Sequence, residues 1–347
     1  MACNCKPKHF DFGEQMRISK LFYLCHVVLF TLVACSSTDN NGPEPLKDLE
    51  YRLFDCRADQ PPTRTSKVAL DCIIDEGCTQ RLVTGHRGAG GELGLFTPEN
   101  SLSGIRLAIL MGVDTIEIDV RHTSDDQLVL MHDASLERTT GIDKNVDEMT
   151  LEQITQIPLL VDGYLGDFSC ERVPSFEEVL KLAKGRINID IDTKTDRADL
   201  VAKAIRDSDM LDQAFVSTPD IQSAELARNT VPEVMIQARP KDIQDYQTSW
   251  AELSPPAQII EVEQSQIDDF KQIAQKSGSK LLANAFWKDA LVLTGGDTSA
   301  YLDIYDDGFD DIQSEYPNWV LDVLGRNYWA SWPPYRDIGI DSPLFGD

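Results

Sequence analysis

Positive charge and histidine are both scarce in this sequence. Its 347 residues carry 32 lysines and arginines against 58 aspartates and glutamates, which gives a net charge of −26. A protein that binds the phosphate backbone of nucleic acid needs a basic surface, so we expect no nucleic-acid partner. The acidity also opposes long-range attraction of anions. A substrate that carries phosphate must therefore be held by local cations or by a metal ion.

Long apolar runs are missing as well. The most apolar stretch, Leu21–Ala34, has fourteen residues and follows Arg17 and Lys20, whereas a helix that spans a membrane needs about 20 apolar residues. This arrangement is typical of a signal peptide, which we predict over 1–34. The stretch ends in Leu-Val-Ala followed by Cys35, which resembles a bacterial lipobox. We therefore predict a lipid anchor on Cys35 in a bacterial cell envelope, in the periplasm or at the outer membrane. The alternative is an ordinary signal peptide with an incidental cysteine.

Cysteine pairs spaced for zinc are absent after residue 34. Four cysteines follow Cys35 without a CxxC pair, which argues against a structural zinc site; they are Cys56, Cys72, Cys78 and Cys170. An even number in an exported protein permits two disulfides, and three pairings stay open. The composition predicts a polar tether over 35–50, a cysteine-containing lead-in over 51–80 and one repeating α/β domain over 81–347.

Short β-branched runs alternate with amphipathic segments along this domain. The predicted strands are 82–86, 115–120, 127–132, 187–192, 214–217, 233–237, 258–263, 280–285 and 311–315. The predicted helices include 101–111, 175–184, 197–207 and 265–276. This alternation predicts parallel pairing, and eight repeats match a closed (β/α)8 TIM barrel better than the alternative of an open sheet. The run 127–132 follows its predecessor too closely for a crossover helix, so we predict a short hairpin strand after strand two.

Carboxylates cluster in two of the predicted strands. Glu117 and Asp119 share one face of the second parallel strand, because side chains two residues apart in a strand point the same way. They offer hard oxygen ligands suited to a divalent cation. Asp192 ends the next parallel strand and can complete this metal site, whereas Asp190 is interpreted as a polar residue of the barrel core. Lys194, just beyond the strand end, can reach a phosphate group.

Two histidines also end predicted strands. His86 is followed by Arg87 at the end of the first strand, and His132 ends the hairpin run. Histidine titrates near neutral pH, and barrel enzymes place their catalytic residues at the carboxyl ends of the strands. These positions therefore favour a catalytic role for both, whereas His122 lies on a polar turn and is interpreted as a solvated residue.

Five short motifs follow one another over 85–140: His86–Gly88, Pro98–Ser101, Gly112–Val120 with Thr123 and Asp125, His132–Asp133, and Arg138–Thr140. Together they resemble the glycerophosphodiester phosphodiesterase family. The match is nearly continuous, in order and at the family's spacing. Beyond it the resemblance is thinner and rests on Asp192–Lys194 and Gly308–Pro317.

This resemblance implies a (β/α)8 barrel that hydrolyses a glycerophosphodiester with one divalent cation, Ca²⁺ or Mg²⁺. The implied metal ligands are Glu117, Asp119 and Asp192. The implied general base and general acid are His86 and His132, in an order that the sequence does not assign. The implied phosphate-binding cations are Arg87 and Lys194.

One departure from the family pattern keeps a second interpretation open. The family has glutamate where this chain has Asp192, and an Asp-x-Lys at this place also resembles the related sphingomyelinase D branch. The alternative function is therefore a phospholipase D-like enzyme that acts on lipid headgroups. A noncatalytic surface lipoprotein is a third interpretation, but it predicts loss of the site residues, and all of them are present.

Overall fold

The computed structural model of the protein describes residues 51–91, 96–295 and 297–326. The predicted signal peptide over 1–34 and the tether over 35–50 lie outside these residues, and both stay predictions. The same holds for the end of the predicted barrel domain beyond residue 326. Within the described ranges, no helix combines the length and the apolar character needed to cross a membrane.

Nine strands form a single sheet in the described chain. They are β1 Leu82–Gly85, β2 Thr115–His122, β3 Leu128–Leu130, β4 Asn188–Thr193, β5 Ala214–Thr218, β6 Met235–Ala238, β7 Ile259–Glu261, β8 Lys280–Asn284 and β9 Asp311–Ser314. All except β3 run parallel to their neighbours, and β1 pairs with both β2 and β9, which closes an eight-stranded barrel. The predicted (β/α)8 TIM barrel is confirmed.

Within the described ranges, eight helices of seven or more residues accompany the strands. They are α1 Leu102–Met111, α2 Phe176–Ala183, α3 Ala198–Asp207, α4 Ile221–Thr230, α5 Ile267–Ser277, α6 Phe286–Leu293, α7 Ala300–Asp306 and α8 Pro317–Val323. Shorter helical turns occupy Leu70–Ile73, Glu137–Thr140, Val146–Glu148, Leu151–Ile154, Ile243–Asp245, Tyr246–Trp250 and Gln264–Gln266. Because the strands are covered by helices outside and packed inside, nearly all strand residues are buried.

The loop after β1 leads into α1 through a clear capping signal. Ser101 precedes the helix, and its side chain accepts a hydrogen bond from the backbone N–H of Gly104. The helix ends at Gly112, whose φ of 88° lies in the left-handed region that glycine adopts without steric cost. The motif Pro98–Ser101 is thereby fixed at the end of the barrel where the parallel strands have their carboxyl ends.

The predicted hairpin strand is present. β3 pairs antiparallel with β2, with Val120 opposite Leu130 and His122 opposite Leu128. His122 ends β2 instead of lying in a turn, and its Nδ1 lies 2.6 Å from Thr195 Oγ1. It is therefore hydrogen-bonded, which differs from the expectation of a merely solvated side chain.

The lead-in closes the other end of the barrel. Val68, Cys72 and Ile73 pack there against a buried layer of strand residues, which are Leu82, Phe215, Met235, Ile259 and Leu282. The structure also selects one of the three cysteine pairings. Cys72 is bonded to Cys78 within the lead-in, and Cys56 is bonded to Cys170 in the loop before α2.

Candidate active site

Three carboxylates meet at the carboxyl ends of two neighbouring strands. Glu117 and Asp119 come from β2 and Asp192 comes from β4. The parallel register places Asp119 directly opposite Asp192. One oxygen of each carboxylate lies within 4.8 Å of the others, and all three residues are buried. Buried carboxylates this close repel one another, so the arrangement requires positive charge.

The electrostatics of this cluster suit a hard cation. Burial, followed by the neighbouring charges of Asp119, Asp192 and Asp190, raises the pKa of Glu117 well above its ordinary value. Asp119 Oδ1 is buried and makes no hydrogen bond within the described part of the chain. A divalent cation with oxygen ligands would satisfy this atom and offset the repulsion. The donor set therefore fits Ca²⁺ or Mg²⁺, and no soft ligand belongs to it.

Two basic side chains hold Asp192. Lys194 Nζ lies 2.6 Å from Asp192 Oδ2 and 3.4 Å from Asp119 Oδ1. Arg239, just after β6, donates to both oxygens of Asp192 at 2.8 and 3.0 Å. Burial alone would raise the pKa of Asp192, but Arg239 and Lys194 lower it below its ordinary value. Lys194 thus lies at the cluster, where a phosphate group would be held.

The loop after β1 wraps closely around the cluster. The backbone N–H of Arg87 donates to Glu117 Oε2 at 2.8 Å, and Asn100 Nδ2 donates to Asp119 Oδ2 at 2.8 Å. Both Arg87 and Asn100 have positive φ, 49° and 50°, in the left-handed region that residues other than glycine seldom adopt. Such strain persists where the surrounding structure enforces it, commonly at functional sites. At this site, the two strained residues each donate a hydrogen bond to a candidate metal ligand.

His86 is positioned by a buried carboxylate. Its Nδ1 lies 2.5 Å from Glu315 Oε1, and its Nε2 lies 3.7 Å from Glu117 Oε2. The ring of Phe286, from α6, packs on the imidazole with 4.6 Å between ring centroids. A carboxylate accepts the Nδ1 proton and leaves Nε2 on the side of the acidic cluster. A Cβ at Gly91 would collide with His86 Nδ1 and the Glu315 carboxylate, so glycine permits this close approach.

A second carboxylate fixes the segment that carries Glu315. Asp289, also from α6, accepts from the backbone N–H of Glu315 at 2.8 Å and from the hydroxyls of Ser314 and Tyr301 at 2.6 Å each. Burial raises the pKa of Asp289 to about 6. The helix α6 therefore supports His86 twice, by ring packing and through Asp289.

His132 has a comparable carboxylate partner. It follows β3, and its Nδ1 lies 2.7 Å from Oδ1 of the adjacent Asp133. Its backbone carbonyl accepts from Arg121 Nε at 3.0 Å and from Nη2 at 2.8 Å. The side chain of His132 is 33% exposed, compared with 9% for His86. The two imidazoles therefore have a similar hydrogen-bond arrangement and different access to solvent.

Comparison with known proteins relates part of this arrangement to one family. Residues 86–237 match the sequence profile described as "Glycerophosphoryl diester phosphodiesterase family". This segment, which is less than half of the chain, is similar to that family. A curated relative, the putative glycerophosphodiester phosphodiesterase YhdW of Bacillus subtilis, is 37% identical over 112 residues, which is 32% of this chain and 44% of the relative. Glycerophosphodiester phosphodiesterase 1 of Mus musculus is 29% identical over 159 residues, which is 45% of each chain. The chain thus spans less than half the length of these relatives.

Solved structures of glycerophosphodiester phosphodiesterases share the barrel. A family member from Parabacteroides distasonis has a TM-score of 0.61 and 24% identity, with 76% of this chain and 92% of that chain covered. A phosphodiesterase from Oleispira antarctica, described in complex with the product sn-glycerol-3-phosphate, has a TM-score of 0.57 and 23% identity, with 70% and 96% covered. At these identities the likeness establishes the fold.

Several site residues were not assigned roles from the sequence. Asn100 and Glu315 lie inside motifs that carry the family resemblance, so the motifs pointed to them without indicating their contacts. Arg239 directly follows β6, and its strand-end position was the available signal. Their roles depend on which strands become neighbours around the barrel, because each contacts a side chain that is distant in sequence.

Proposed function

We propose that the protein hydrolyses glycerophosphodiesters to glycerol phosphate and an alcohol, with one divalent cation and two histidines. The observation that carries the proposal is a cluster of three buried carboxylates with a histidine beside it, at the carboxyl ends of the barrel strands. These residues are Glu117, Asp119, Asp192 and His86, and all four lie in the segment that matches the family profile. Such strand ends form the active site in barrel enzymes.

Basic side chains at the edge of the acidic cluster would bind the phosphate group. Glu117, Asp119 and Asp192 would hold the cation, which would supply Lewis-acid stabilisation of the charge that develops on the phosphate. Lys194 already lies 2.6 Å from Asp192 and can donate to a phosphoryl oxygen. Arg87 lies on the opposite side of Asp119, with Nε 3.4 Å from Asp119 Oδ2.

The two histidines transfer the protons of the reaction. Each has its Nδ1 directed at a carboxylate, Glu315 for His86 and Asp133 for His132, which leaves each Nε2 free to accept or donate a proton. One removes a proton from the attacking oxygen as the new bond to phosphorus forms. The other protonates the alcohol oxygen as its bond to phosphorus breaks.

The comparisons support a glycerol-based substrate. The relatives from Bacillus subtilis and Mus musculus are described as glycerophosphodiester phosphodiesterases, and the Oleispira antarctica enzyme is described with sn-glycerol-3-phosphate as its product. No contact in the described site favours a lipid headgroup substrate over a glycerophosphodiester.

A release assay tests this function. Purified protein is incubated with glycerophosphocholine, glycerophosphoethanolamine, lysophosphatidylcholine and sphingomyelin, and the released alcohol and phosphate ester are quantified. We expect turnover of the glycerophosphodiesters, its loss after chelation, and its recovery with Ca²⁺ or Mg²⁺. Turnover restricted to lysophosphatidylcholine or sphingomyelin would replace this function with the headgroup-cleaving alternative. Full turnover by protein shown by elemental analysis to be metal-free would remove the cation from the mechanism.

We further propose that the enzyme is exported from the cytoplasm and is attached to a membrane through a lipid anchor at Cys35. All four cysteines in the described ranges form disulfides, and disulfides persist in oxidising compartments. This supports export, in agreement with the predicted signal peptide. Mass spectrometry of the mature protein for acyl groups on Cys35 tests the anchor directly.

A further inference from the structure

Two charged residues of the sequence motifs are left without a role by this mechanism. Glu99 belongs to the motif Pro98–Ser101, and Arg138 belongs to the motif Arg138–Thr140. Neither residue belongs to the acidic cluster. They contact each other instead, with Arg138 Nη1 2.7 Å from Glu99 Oε2 and Arg138 Nη2 2.8 Å from Glu99 Oε1. This is a two-pronged arginine–carboxylate pair, which fixes orientation as well as distance.

Each end of this pair continues to a proposed reaction residue. On one side, Arg87 Nη1 donates to Glu99 Oε1 at 2.9 Å. On the other, Arg138 Nε donates to Asp133 Oδ2 at 2.6 Å, and Asp133 Oδ1 lies 2.7 Å from His132 Nδ1. Basic and acidic side chains therefore alternate in one continuous series of contacts. The series is Arg87, Glu99, Arg138, Asp133 and His132. We call this series the ion-pair bridge.

The charges of neighbouring members keep the carboxylates of the bridge ionised. Burial would raise the pKa of Glu99, but Arg138 and Arg87 lower it below its ordinary value. Hydrogen bonds from His132 and Arg138 keep the pKa of Asp133 well below its ordinary value. The Glu99 side chain is only 10% exposed and that of Arg87 only 7%, whereas the side chains of Arg138 and Asp133 are each 33% exposed. The Arg87–Glu99 pair is therefore less screened by water than a surface pair.

A disulfide-linked loop lies against the bridge. The backbone N–H of Leu160 donates to the carbonyl of Thr139, next to Arg138, at 2.8 Å. Tyr164 packs on Phe168 with 5.8 Å between ring centroids, and Cys170 ties the same loop to Cys56. Burial, and then the charge of Glu99, raises the pKa of Tyr164 to about 12. The loop therefore supports the Arg138 side of the bridge.

We propose that Arg138 is a positioning residue, which acts through Asp133 to set the tautomer and orientation of His132 and through Glu99 to place Arg87. This inference rests on the proposed function and deepens it. The physical reason is that His132 is one-third exposed and follows a strand of only three residues, so its own element constrains it weakly. An arginine that holds two carboxylates in fixed directions supplies the missing constraint.

The test compares kcat and KM on glycerophosphocholine for wild type, R138A, R138K, E99Q, H132A and the double variant H132A/R138A. The matched control is R197A. Arg197 also joins two carboxylates, Asp126 at 2.5 Å and Asp199 at 3.0 Å, and its side chain is likewise 33% exposed. It makes no contact with the bridge. Circular dichroism and thermal unfolding establish that each variant is folded.

We expect R138A to lower kcat about 10- to 100-fold, because small displacements of a catalytic group cost factors of this size. R138K should lose less, since one ammonium group can still reach a carboxylate but cannot hold both in fixed directions. E99Q should raise KM as well as lower kcat, because Glu99 also contacts Arg87. In the H132A background, R138A should change kcat by less than about twofold, because its remaining route through Glu99 and Arg87 acts on substrate binding and alters KM. R197A should match wild type.

Two kinetic results overturn the inference: a kcat of R138A within about twofold of wild type, or an equal loss from R138A with and without His132. NMR of protein labelled with ¹⁵N-histidine gives a readout that needs no turnover, and H132A assigns the His132 signal. Wild type should show His132 protonated at Nδ1, and R138A should shift it towards the Nε2-protonated tautomer. An unchanged tautomer also contradicts the inference. A wild type that cleaves none of the substrates refutes the proposed function instead, and the tautomer measurement still decides the role of Arg138.

Discussion

The two disulfides offer a quantitative test of the fold, because they close loops of very different length. Cys56–Cys170 joins residues 114 positions apart, whereas Cys72–Cys78 joins residues six positions apart. In the chain-entropy description, a disulfide stabilises mainly by restricting the unfolded chain, and the effect grows with the logarithm of the loop length. We therefore expect removal of Cys56–Cys170 to cost more stability than removal of Cys72–Cys78.

The loop lengths set the expected sizes. Loop closure gives about 5 kcal/mol for Cys56–Cys170 and about 2 kcal/mol for Cys72–Cys78. Cys72 is 2% exposed and packs under the barrel, so its replacement by alanine adds about 1 kcal/mol of lost packing. With an unfolding entropy of about 2.1 cal/mol/K per residue over the roughly 270 described residues, the melting temperature should fall by about 9 °C for C56A/C170A and by about 5 °C for C72A/C78A.

Differential scanning calorimetry of the two double variants and the wild type, at one scan rate and one metal concentration, measures both shifts. The difference between the variants is the informative quantity, because errors in the unfolded-state description are common to both. A larger drop for C72A/C78A than for C56A/C170A would refute the entropic reasoning. Unchanged melting in both variants would show that these pairs are not bonded in solution.

Three further predictions concern pH, packing and anchoring. Burial raises the pKa of Asp311 to about 7, so the folded state holds this proton more tightly than the unfolded state. The free energy of unfolding should therefore fall as pH rises from about 4 to 7. Urea unfolding across this range should show a decline of at most about 4 kcal/mol in wild type that is absent in D311N. G91A should displace the His86–Glu315 pair and lower kcat, whereas G77A on the exposed lead-in should not; equal effects in a release assay would contradict this reading of the close approach. C35A should move the exported protein from the membrane fraction to the soluble fraction, and its retention on membranes would exclude Cys35 as the anchor.

Much of the fold could be predicted because its signals are local. Each predicted strand appears in the structure, and the spacing of six residues before 127–132 was enough to distinguish a hairpin strand from a crossover. Glu117 and Asp119 share a face of one strand by its two-residue period alone. They lie close to Asp192 because β2 and β4 are neighbouring parallel strands of the barrel.

The rest of the site depends on contacts that no local pattern contains. The disulfide pairing required the loop before α2 to return to the lead-in. Glu315 supports His86 because β9 closes the barrel against β1, across 229 positions of sequence. Arg239 reaches Asp192 across the barrel mouth from the end of β6, 47 positions away. These contacts depend on which strands are neighbours in the folded barrel, and residue spacing in the sequence does not reveal that.

The most direct test of the central claim measures the two histidines separately on two kinds of leaving group. The rates of wild type, H86A, H132A and the control H122A are compared on glycerophosphocholine and on a p-nitrophenyl phosphodiester, with folded, metal-loaded protein. We expect kcat on glycerophosphocholine to fall by about 10² to 10⁴ in H86A and in H132A, and H122A to stay near wild type. Loss of the general acid should matter much less for the p-nitrophenyl substrate, because p-nitrophenolate leaves without protonation, whereas loss of the base should affect both substrates alike. Near-normal rates in both H86A and H132A would contradict the two-histidine mechanism.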